Sequence, residues 1–445
     1  MCIAYIGELT FGFKLYIIRL RIIWFREENN LNDIEQTKKL LKKNNQIKIL
    51  KFMEKVDDTK KKKLADQILK LDFEQVNRLY KDRNAKFVNE KKIEPIKYIN
   101  KNKLSSKEIN EIKQIGDQVI EQGKYAVVTM AGGQGTRLGW KGPKGTFKLE
   151  KVGKYIFEIL TETLLKAKEE YGKEVYWYIM TSIDNNDKTI NFFEKHNYFG
   201  YPKEKVKFFK QNTLPLLDFD GNLLVDKNFE IRYASDGNGG VFQALKEDKM
   251  IEDMQAHNIQ WVYVCGVDNI MANMVDDVLL GLAIKNKMPS ASKSVKKAYP
   301  EEKVGIFCKK NGKPAIIEYI DMNEKMIYAR DDENELLFGE SNIVGHLFNI
   351  ESVKELANYH FKYHCAKKKN SYIDENENEV IPNEPNSYKF EAFIFDGFEY
   401  LDDMIILRVN REDEFAPIKN ATGNDSPQTA EKIYLQKYKQ NIKNK

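Results

Sequence analysis

The residues best suited to chemistry lie in one stretch, Tyr125 to Leu149, which reads YAVVTMAGGQGTRLGWKGPKGTFKL. Its glycines are Gly132, Gly133, Gly135 and Gly139. Glycines let the backbone approach a ligand closely, so that successive N–H groups can point at phosphate oxygens. Arg137, Lys141 and Lys144 add positive charge around the same loop, which suits a polyphosphate whose negative charge grows during a reaction. The stretch therefore predicts a nucleotide-phosphate site.

Two better-known phosphate loops do not fit this stretch. Gly133 and Gly135 begin a G-x-G spacing, but Leu138 stands where the dinucleotide fingerprint needs its third glycine. Lys144 precedes Gly145, whereas the Walker loop ends in Gly-Lys followed by Ser or Thr. A plain strand-to-helix turn with surface lysines is the remaining alternative.

The loop resembles the signature of the UDP-sugar pyrophosphorylases, most closely the eukaryotic-type UDP-N-acetylglucosamine pyrophosphorylases. Their motif is G-x-G-T-x-(M/L)-G followed by Pro-Lys, and the matching residues are Gly133, Gly135, Thr136, Leu138, Gly139, Pro143 and Lys144. The resemblance implies a uridylyltransferase that joins UTP and a sugar 1-phosphate and releases pyrophosphate. It also implies that Arg137 and Lys144 hold phosphates, while Gly132 and the loop to Thr136 line the nucleotide.

Gln211 follows a predicted strand, Val206 to Phe209. A side-chain amide carries both a donor and an acceptor, the complement of a uracil edge. The resembled family has a uracil-contacting glutamine in a Q-x-x-x-P segment, which Gln211 and Pro215 match. Without that resemblance, a polar residue at a strand end would be interpreted as a cap.

A second glycine nest, ASDGNGG from Ala234 to Gly240, leads into a helix predicted to begin near Val241. A helix start offers free N–H groups and a positive dipole end. In the resembled family D-G-N-G-G closes over the nucleoside and the sugar, which implies that Gly237 approaches uracil and Asn238 binds the sugar. A turn without a ligand is the alternative.

Asp268 follows the predicted strand Ile259 to Val264, in the sequence CGVDN. Magnesium keeps most of its waters and needs only one or two carboxylates besides phosphate oxygens, so a single Asp at a strand tip suffices. We expect Asp268 to bind Mg²⁺ as the cofactor, and the family's V-D-N motif implies the same role. An Asp that caps the next helix would look identical in sequence.

The resemblance also implies sugar contacts from a predicted hairpin around Asn311-Gly312. The implied residues are Gly305, Glu318 and Tyr319. Phe393, in FEAFIFDGF, matches a segment whose aromatic residues lie beside the sugar, although a core position is the safer interpretation from the residue type alone. The last motif, REDEFAPIKNA, starts at Arg411, and the resemblance implies that its Lys419 reaches the triphosphate or pyrophosphate oxygens.

One position departs from the family pattern. Gly345 stands where the family usually has a sugar-binding Asn, and Asn342 or Asn349 could compensate. The departure leaves a UDP-glucose or broad UDP-sugar pyrophosphorylase as an alternative. A non-catalytic nucleotide-sugar-binding protein is the second alternative, which the joint presence of cations and a carboxylate at the expected positions disfavours.

The elements around these motifs predict an α/β fold. Strand and helix signals alternate after Tyr125, which predicts a mostly parallel sheet flanked by helices, with ligands at the carboxyl ends of the strands; the resemblance makes this a nucleotide-diphospho-sugar transferase-like Rossmann-type fold. We expect a helical N-terminal region at 1–100, a catalytic nucleotidyltransferase domain at 101–405 and a short C-terminal segment at 406–445. His360 and His364 stand four apart on a predicted helix, but no third metal ligand is evident.

Composition limits the remaining possibilities. The 445 residues carry 72 basic and 67 acidic side chains, and acids interleaved with the lysine runs disfavour nucleic-acid binding. Four scattered cysteines without a C-x-x-C pair disfavour a disulfide framework and favour a cytoplasmic setting. The first 25 residues are apolar, but charges interrupt them, so they fit neither a membrane-spanning helix nor a secretory signal well. We expect a monomer with UTP and a sugar 1-phosphate as its partners, without nucleic acid or membrane.

Overall fold

The computed structural model describes residues 32–84 and 92–443, so the apolar start of the chain lies outside the described residues. The described part forms two compact units. The first unit contains residues 32–84, Thr213–Ala234 and Tyr363–Glu391, and the second unit contains residues 92–212, Ser235–Lys362 and 392–443. Within the described ranges, every helix is too short or too polar to cross a lipid bilayer.

The helices in chain order are α1 (residues 32–43), α2 (Ile47–Lys55), α3 (Asp58–Ile68), α4 (Phe73–Asp82), α5 (Ser106–Glu121), α6 (Ile156–Tyr171), α7 (Asn186–Lys195), α8 (Val241–Glu247), α9 (Met250–Ala256), α10 (Asp277–Lys285), α11 (Glu324–Tyr328), α12 (Ile350–Leu356), α13 (Arg411–Glu414) and α14 (Pro427–Lys443). Short 3-10 turns lie between several of them, including one at Thr136–Leu138 and one at Asn238–Gly240.

The strands in chain order are β1 (Ile93–Pro95), β2 (Ile99–Asn100), β3 (Tyr125–Met130), β4 (Tyr176–Thr181), β5 (Val206–Lys210), β6 (Thr213–Pro215), β7 (Leu217–Asp218), β8 (Tyr233–Ser235), β9 (Trp261–Gly266), β10 (Ser290–Lys296), β11 (Ile306–Lys310), β12 (Lys313–Ile317), β13 (Glu340–Asn349), β14 (His364–Lys368), β15 (Tyr372–Ile373), β16 (Glu379–Val380), β17 (Ser387–Glu391) and β18 (Ile405–Val409).

The first unit is built from α1 to α4 and short antiparallel strands. Asp57 and Asp72 start two of the helices, because their side chains accept hydrogen bonds from the backbone N–H groups of Lys60 and Gln75. Apolar residues at helical spacing form the core, and Leu41, Met53, Leu64 and Ile68 are fully buried there. The helical N-terminal region expected from the sequence is therefore confirmed for residues 32–82.

The second unit is organised around a large sheet with the strand order β2-β18-β10-β13-β9-β3-β4-β5. All neighbouring pairs in this order are parallel, except that β13 runs antiparallel to both β10 and β9. Every residue of β3 is buried, as expected for a central strand that is covered on both faces. The predicted mostly parallel α/β fold is confirmed.

The parallel strands bring several loops to the same edge of this sheet. Met130, the last residue of β3, pairs with Met180 of β4 and with Gly266 of β9. The glycine loop after β3, Gln211 after β5 and Asp268 after β9 consequently lie at neighbouring strand ends. This is the edge at which α/β sheets bind ligands.

The predicted helix through His360 and His364 is wrong. The preceding helix α12 ends at Leu356, His360 lies in an irregular segment, and His364 begins strand β14. The polar and aromatic residues after Leu356 do not repeat at a helical spacing, so the two histidines share no helix face.

Candidate active site

The glycine loop folds back on itself after β3. The backbone N–H of Lys144 donates to the carbonyl oxygen of Gly133 at 3.1 Å, and that of Gly135 donates to Gly142 at 3.0 Å. Trp140 packs on Gly135, where an added Cβ would lie only 2.7 Å from the Trp140 Cβ. At Gly133, by contrast, an added Cβ would meet no atom within 4 Å. The loop is thus held closed on one side and exposes the Gly133 backbone on the other.

Gln211 connects the two glycine nests. The first nest is the glycine loop after β3, and the second is the ASDGNGG segment. The Gln211 Nε2 donates to the carbonyl oxygen of Gly237 at 2.6 Å and to Asp236 Oδ1 at 3.2 Å. Both partners are acceptors, so the amide nitrogen must face them. The amide oxygen, Oε1, faces Gly132 instead, because a Cβ added at Gly132 would lie 2.5 Å from this oxygen. The amide nitrogen of Gln211 thus donates to protein groups, and its amide oxygen lies on the side of the first nest.

The second nest packs tightly on the segment that contains Phe393. Gly237 has φ of +90° and ψ of 167°, a region that only glycine occupies readily, and an added Cβ would lie 2.1 Å from the carbonyl oxygen of Ala392. The Asn238 Oδ1 accepts from the backbone N–H of Ile394 at 3.0 Å. The fold therefore brings Asn238 close to the segment that contains Phe393, and the Asn238 oxygen holds this contact.

Lys144 and Asp268 meet across the ends of β3 and β9. The distance from Lys144 Nζ to Asp268 Oδ2 is 3.7 Å, and both side chains are partly exposed. Burial lowers the pKa of Lys144, and the positive charges of Arg137 and Lys419 lower it further, whereas Asp268 acts in the opposite direction. The alternative in which Asp268 caps the next helix does not describe this structure, because Asp276 is the N-cap of α10.

Lys419 reaches the same place from the far end of the chain. The backbone N–H of Ile418 donates to the carbonyl oxygen of Asp268 at 2.9 Å, and Asn269 pairs with Pro417 in an isolated antiparallel bridge. The ammonium of Lys419 lies 3.3 Å from Asp425 Oδ2 and is close enough to Lys144 to lower its pKa. Three segments that are far apart in sequence thus place Lys144, Asp268 and Lys419 near one another.

Three of the residues expected to contact the sugar, Gly305, Glu318 and Tyr319, flank the β11–β12 hairpin. An added Cβ at Gly305 would lie 3.1 Å from Glu318 Oε1, and Tyr319 is 40% exposed. The backbone N–H of Asn342 donates to the carbonyl oxygen of Gly305 at 2.8 Å. Asn342 is therefore the asparagine beside this hairpin, whereas Asn349 is the N-cap of α12.

Gly345 is fixed by packing. It pairs with Cys265 on the neighbouring strand β9, and an added Cβ would lie 2.4 Å from the hydroxyl oxygen of Tyr263. Tyr263 is buried in the sheet, so its ring has little freedom to move. An asparagine at position 345 would consequently require this tyrosine to shift.

Two asparagines that sequence reasoning did not single out hold the loops in place. Asn185 accepts from the backbone N–H of Ser182 at 2.7 Å and donates to the carbonyl oxygen of Ala131 at 3.0 Å, which joins the loops after β4 and β3. Asn269 accepts from the backbone N–H of Ala416 at 3.0 Å. An asparagine in the loop that follows a buried strand was the available signal, since its side chain can bond loop backbone.

Comparisons with known proteins identify the family to which this chain is similar. The family model described as UTP–glucose-1-phosphate uridylyltransferase matches residues 70–436. The chain is 38% identical over 344 residues to the UDP-N-acetylglucosamine pyrophosphorylase of Saccharomyces cerevisiae, covering 74% of this chain and 72% of that one. It is 37% identical to UDP-N-acetylglucosamine diphosphorylase 2 of Arabidopsis thaliana, with 72% of this chain and 66% of the relative matched.

A solved structure shares the fold. The uridine diphosphate N-acetylglucosamine pyrophosphorylase of Trypanosoma brucei, in complex with an inhibitor, superposes with a TM-score of 0.75 at 28% identity. The match covers 91% of this chain and 84% of that one. The similarity to UDP-sugar pyrophosphorylases inferred from the motifs is confirmed, and the matched portion spans about two thirds of the length of several relatives, such as the Arabidopsis protein at 66%. Since the family model covers most of the chain, the protein belongs to the UTP–glucose-1-phosphate uridylyltransferase family.

Proposed function

We propose that the protein transfers a uridylyl group from UTP to N-acetylglucosamine 1-phosphate or a related N-acetylhexosamine 1-phosphate, forming the UDP-sugar and pyrophosphate. The observation that carries this proposal is the meeting of Lys144, Asp268 and the Lys419 segment beside the open backbone of Gly133. Relatives named as UDP-N-acetylglucosamine pyrophosphorylases support the choice of sugar.

The chemical step needs no covalent enzyme intermediate. A phosphate monoester is largely dianionic near neutral pH, because its second pKa is about 6, so the sugar phosphate oxygen can attack the α-phosphorus of UTP without a general base. The new bond forms in line as the bond from the α-phosphorus to the β-phosphate oxygen breaks, and the electron pair leaves with pyrophosphate. Arg137 and Lys144 would hold the β- and γ-phosphates, and Lys419 would neutralise charge from the opposite side.

The nucleotide would bind between the two glycine nests. Gly132, Gly133, Gly135 and Thr136 line the first nest. The Gln211 Oε1 faces this side and can accept a hydrogen bond from the uracil N3–H, which cytosine lacks. The backbone of Gly237 would lie against the base. The hydrogen bond from Gln211 to Gly237 fixes the position of the second nest relative to Gln211.

The sugar would lie between two groups of residues. Gly305, Glu318 and Tyr319 form one group at the hairpin, and Asn238 with Phe393 forms the other. The Phe398 ring, in the turn that follows Phe393, lies 6.2 Å from Phe307 of β11, which ties the two groups to each other within the same unit.

The family requires a divalent metal, and the residues present fit Mg²⁺. Asp268 keeps a partly exposed carboxylate at a strand end, and Mg²⁺ needs only one or two carboxylates in addition to phosphate oxygens and water. Among residues 32–84 and 92–443, no group of three or more His, Cys, Asp and Glu residues could hold a metal by itself. Asp268 would therefore hold the ion together with the nucleotide, where Mg²⁺ supplies charge neutralisation at the phosphates.

A UDP-glucose or broad UDP-sugar pyrophosphorylase is the second candidate. The observation in its favour is Gly345, which cannot contribute the amide expected for an N-acetyl sugar, and whose site is bounded by Tyr263. Asn342, beside Gly305, is the residue that could supply such an amide instead.

A substrate panel tests the proposal. The protein is incubated with UTP, MgCl₂ and N-acetylglucosamine, N-acetylgalactosamine or glucose 1-phosphate, and pyrophosphate is measured by a coupled assay. We expect release with the N-acetylated sugars and a lower kcat/KM with glucose 1-phosphate. A preference for glucose 1-phosphate would support the second candidate. Tight binding of UTP without pyrophosphate release from any sugar would contradict both and favour a non-catalytic binding protein. The monomeric state and the cytoplasmic setting stay predictions.

A further inference from the structure

A buried cluster of charges includes Glu414, which lies in the segment that leads to Lys419. Lys293, in the middle of β10, is fully buried, and three acceptors surround its ammonium. Nζ lies 2.8 Å from Asp276 Oδ2, 3.0 Å from Glu414 Oε2 and 2.9 Å from the carbonyl oxygen of Asn273. An ion removed from water is costly unless it is paired and hydrogen-bonded. The cluster therefore holds its members in one arrangement.

Glu414 extends this cluster toward the reacting groups. Its backbone carbonyl oxygen accepts from Asn269 Nδ2 at 2.7 Å, and the Asn269 Oδ1 accepts from the backbone N–H of Ala416. Two residues further on, Ile418 donates to the backbone of Asp268. Residues 414–418 consequently run along Asp268–Ile270, and Lys419 follows directly.

The charges in the cluster depend on one another. Burial disfavours the charged form of Lys293, but Asp276 and Glu414 more than offset it and raise its pKa. Burial acts against ionised Asp276 as well, yet mainly Lys293 brings the pKa of Asp276 down to about 2. Burial raises the pKa of Glu414, and Lys293 opposes that rise. Lys293 is thus the cation that favours the charged forms of Asp276 and Glu414 against the effect of burial.

We propose that Lys293 is a positioning residue for uridylyl transfer, because its bond to Glu414 fixes the segment that presents Lys419 beside Asp268. Lys293 is fully buried, so it would act on the reaction only through Glu414. The inference rests on the proposed function, since it requires Lys419 to act on the phosphates. Neither the motifs nor the relatives' names assign a role to this lysine.

A purely structural role is the alternative, and the same sheet offers a matched control. Arg408, in β18, is also buried, and it forms ion pairs with Glu340 and Glu335. Its partners lie on β13 and in the loop before it, and neither belongs to the segment 414–419. Loss of either buried cation should destabilise the unit, but only loss of Lys293 should act through Lys419.

A double-mutant cycle distinguishes the two roles. The variants are Lys293→Met, Lys419→Ala, the combination of both, and Arg408→Met, each assayed for kcat and KM at a temperature where it is folded. We expect Lys419→Ala to lower kcat by about 100-fold, as for loss of one charge-stabilising donor, and Lys293→Met to lower it by about tenfold or more. The combined variant should be no slower than Lys419→Ala within about threefold, because both changes remove the same contribution. Arg408→Met should keep kcat within about threefold despite a lower unfolding midpoint.

Three results would overturn the proposal. The first is a combined variant whose loss equals the product of the single losses, which would place Lys293 in an independent role. The second is a normal kcat in Lys293→Met. The third is an equal loss of kcat in Arg408→Met, which would show that general destabilisation explains the effect. An inactive wild-type protein would instead reject the proposed function itself, so the two failures are distinguishable.

Glu414→Gln keeps the test decisive if Lys293→Met does not fold. This change preserves side-chain volume and the backbone bond to Asn269 but replaces the carboxyl group that accepts from Lys293 with a neutral amide. We expect a several-fold lower kcat that is again absent when Lys419 is already alanine. A Glu414→Gln variant with unchanged kcat, or with a loss that persists beside Lys419→Ala, would contradict the proposal.

Discussion

Lys144 and Asp268 face each other at 3.7 Å, one from the loop after β3 and the other from the loop after β9. These strands are adjacent and parallel, so their carboxyl ends deliver the cation and the carboxylate to one point. A metal–nucleotide complex could use both members of this pair. The Asp268 carboxylate would bind the metal, and the Lys144 ammonium would bind the phosphates.

The first prediction concerns Lys144. Lys144→Ala should lower kcat/KM by about 100-fold or more, because a phosphate-binding charge is removed from a partly desolvated site. Lys141→Ala is the matched control, since Lys141 lies three residues away in the same loop but is exposed, and it should stay within about threefold of wild type. Pyrophosphate release at varied UTP measures both. Equal losses in the two variants would mean that only the general charge of the loop matters.

The second prediction concerns the protonation of Lys144 in the free protein. Burial and the nearby charges of Arg137 and Lys419 lower its pKa from the usual 10.5, so the cation is lost at a lower pH than for a surface lysine. Arg137→Gln removes a like charge and should raise the pKa of Lys144. An NMR titration after ¹³C reductive methylation measures this, with the signal assigned by its absence in Lys144→Ala. A titration unaffected by Arg137→Gln would show that the guanidinium lies too far from Lys144 to act on it.

Much of this site could be anticipated from local sequence. The glycine-rich loop, the second nest and the strand-end Asp268 each carry a short-range signal, because glycine and the strand pattern report backbone geometry directly. The start of α5 carries a similar local signal, because Ser105 and Glu108 form its capping box. The parallel sheet followed from the alternation of strands and helices.

Contacts between segments that are far apart in sequence could not be predicted in the same way. The antiparallel insertion of β13 between β10 and β9 depends on packing between segments far apart in sequence. Lys293 gave a partial signal, as a lone charge inside the strand SASKSV, but its partners Asp276 and Glu414 could not be chosen from a chain rich in acids. The irregular segment at His360 was wrongly assigned to a helix because a four-residue spacing is weak evidence without apolar residues in phase.

The third prediction separates two glycines by what surrounds them. Gly237→Ala should destabilise the second unit by about 1–3 kcal/mol or more, because φ is +90° and the new Cβ would meet the Ala392 carbonyl. Gly133→Ala faces open space, so its unfolding midpoint should be nearly unchanged while KM for UTP rises. Urea unfolding and steady-state kinetics measure the two effects. A folded, fully active Gly237→Ala variant would contradict the packing described for the second nest.

The fourth prediction concerns acid stability. His346 is fully buried beside Phe398, and burial lowers its pKa to about 3 from 6.5. Below pH 6.5 the unfolded chain binds a proton at this histidine that the folded protein does not bind. The free energy of unfolding therefore decreases as the pH is lowered from 6.5 to 3, by about 1.4 kcal/mol per pH unit for this group.

A double variant tests the role of this histidine. Ser292→Ala with His346→Leu removes the group together with its hydrogen-bond partner, which lies 2.8 Å from Nδ1, so that no orphan hydroxyl remains. Between pH 6.5 and 4.5 the variant should lose about 2–3 kcal/mol less stability than wild type, as measured by urea unfolding. If the free energy of unfolding had the same pH dependence in both proteins, the pKa of His346 would not be lowered in the folded protein.

The last prediction concerns base selection by Gln211. Its nitrogen is committed to Gly237 and Asp236, so the free oxygen should accept from uracil N3–H, and cytosine presents an acceptor at that position instead. Gln211→Leu should lower kcat/KM for UTP by about 10- to 100-fold, in line with the loss of 1–3 kcal/mol from one base-reading contact. The value for CTP should fall much less, and the ratio of the two cancels any general loosening of the nests. An unchanged preference for UTP in the variant would place base recognition elsewhere in the cleft.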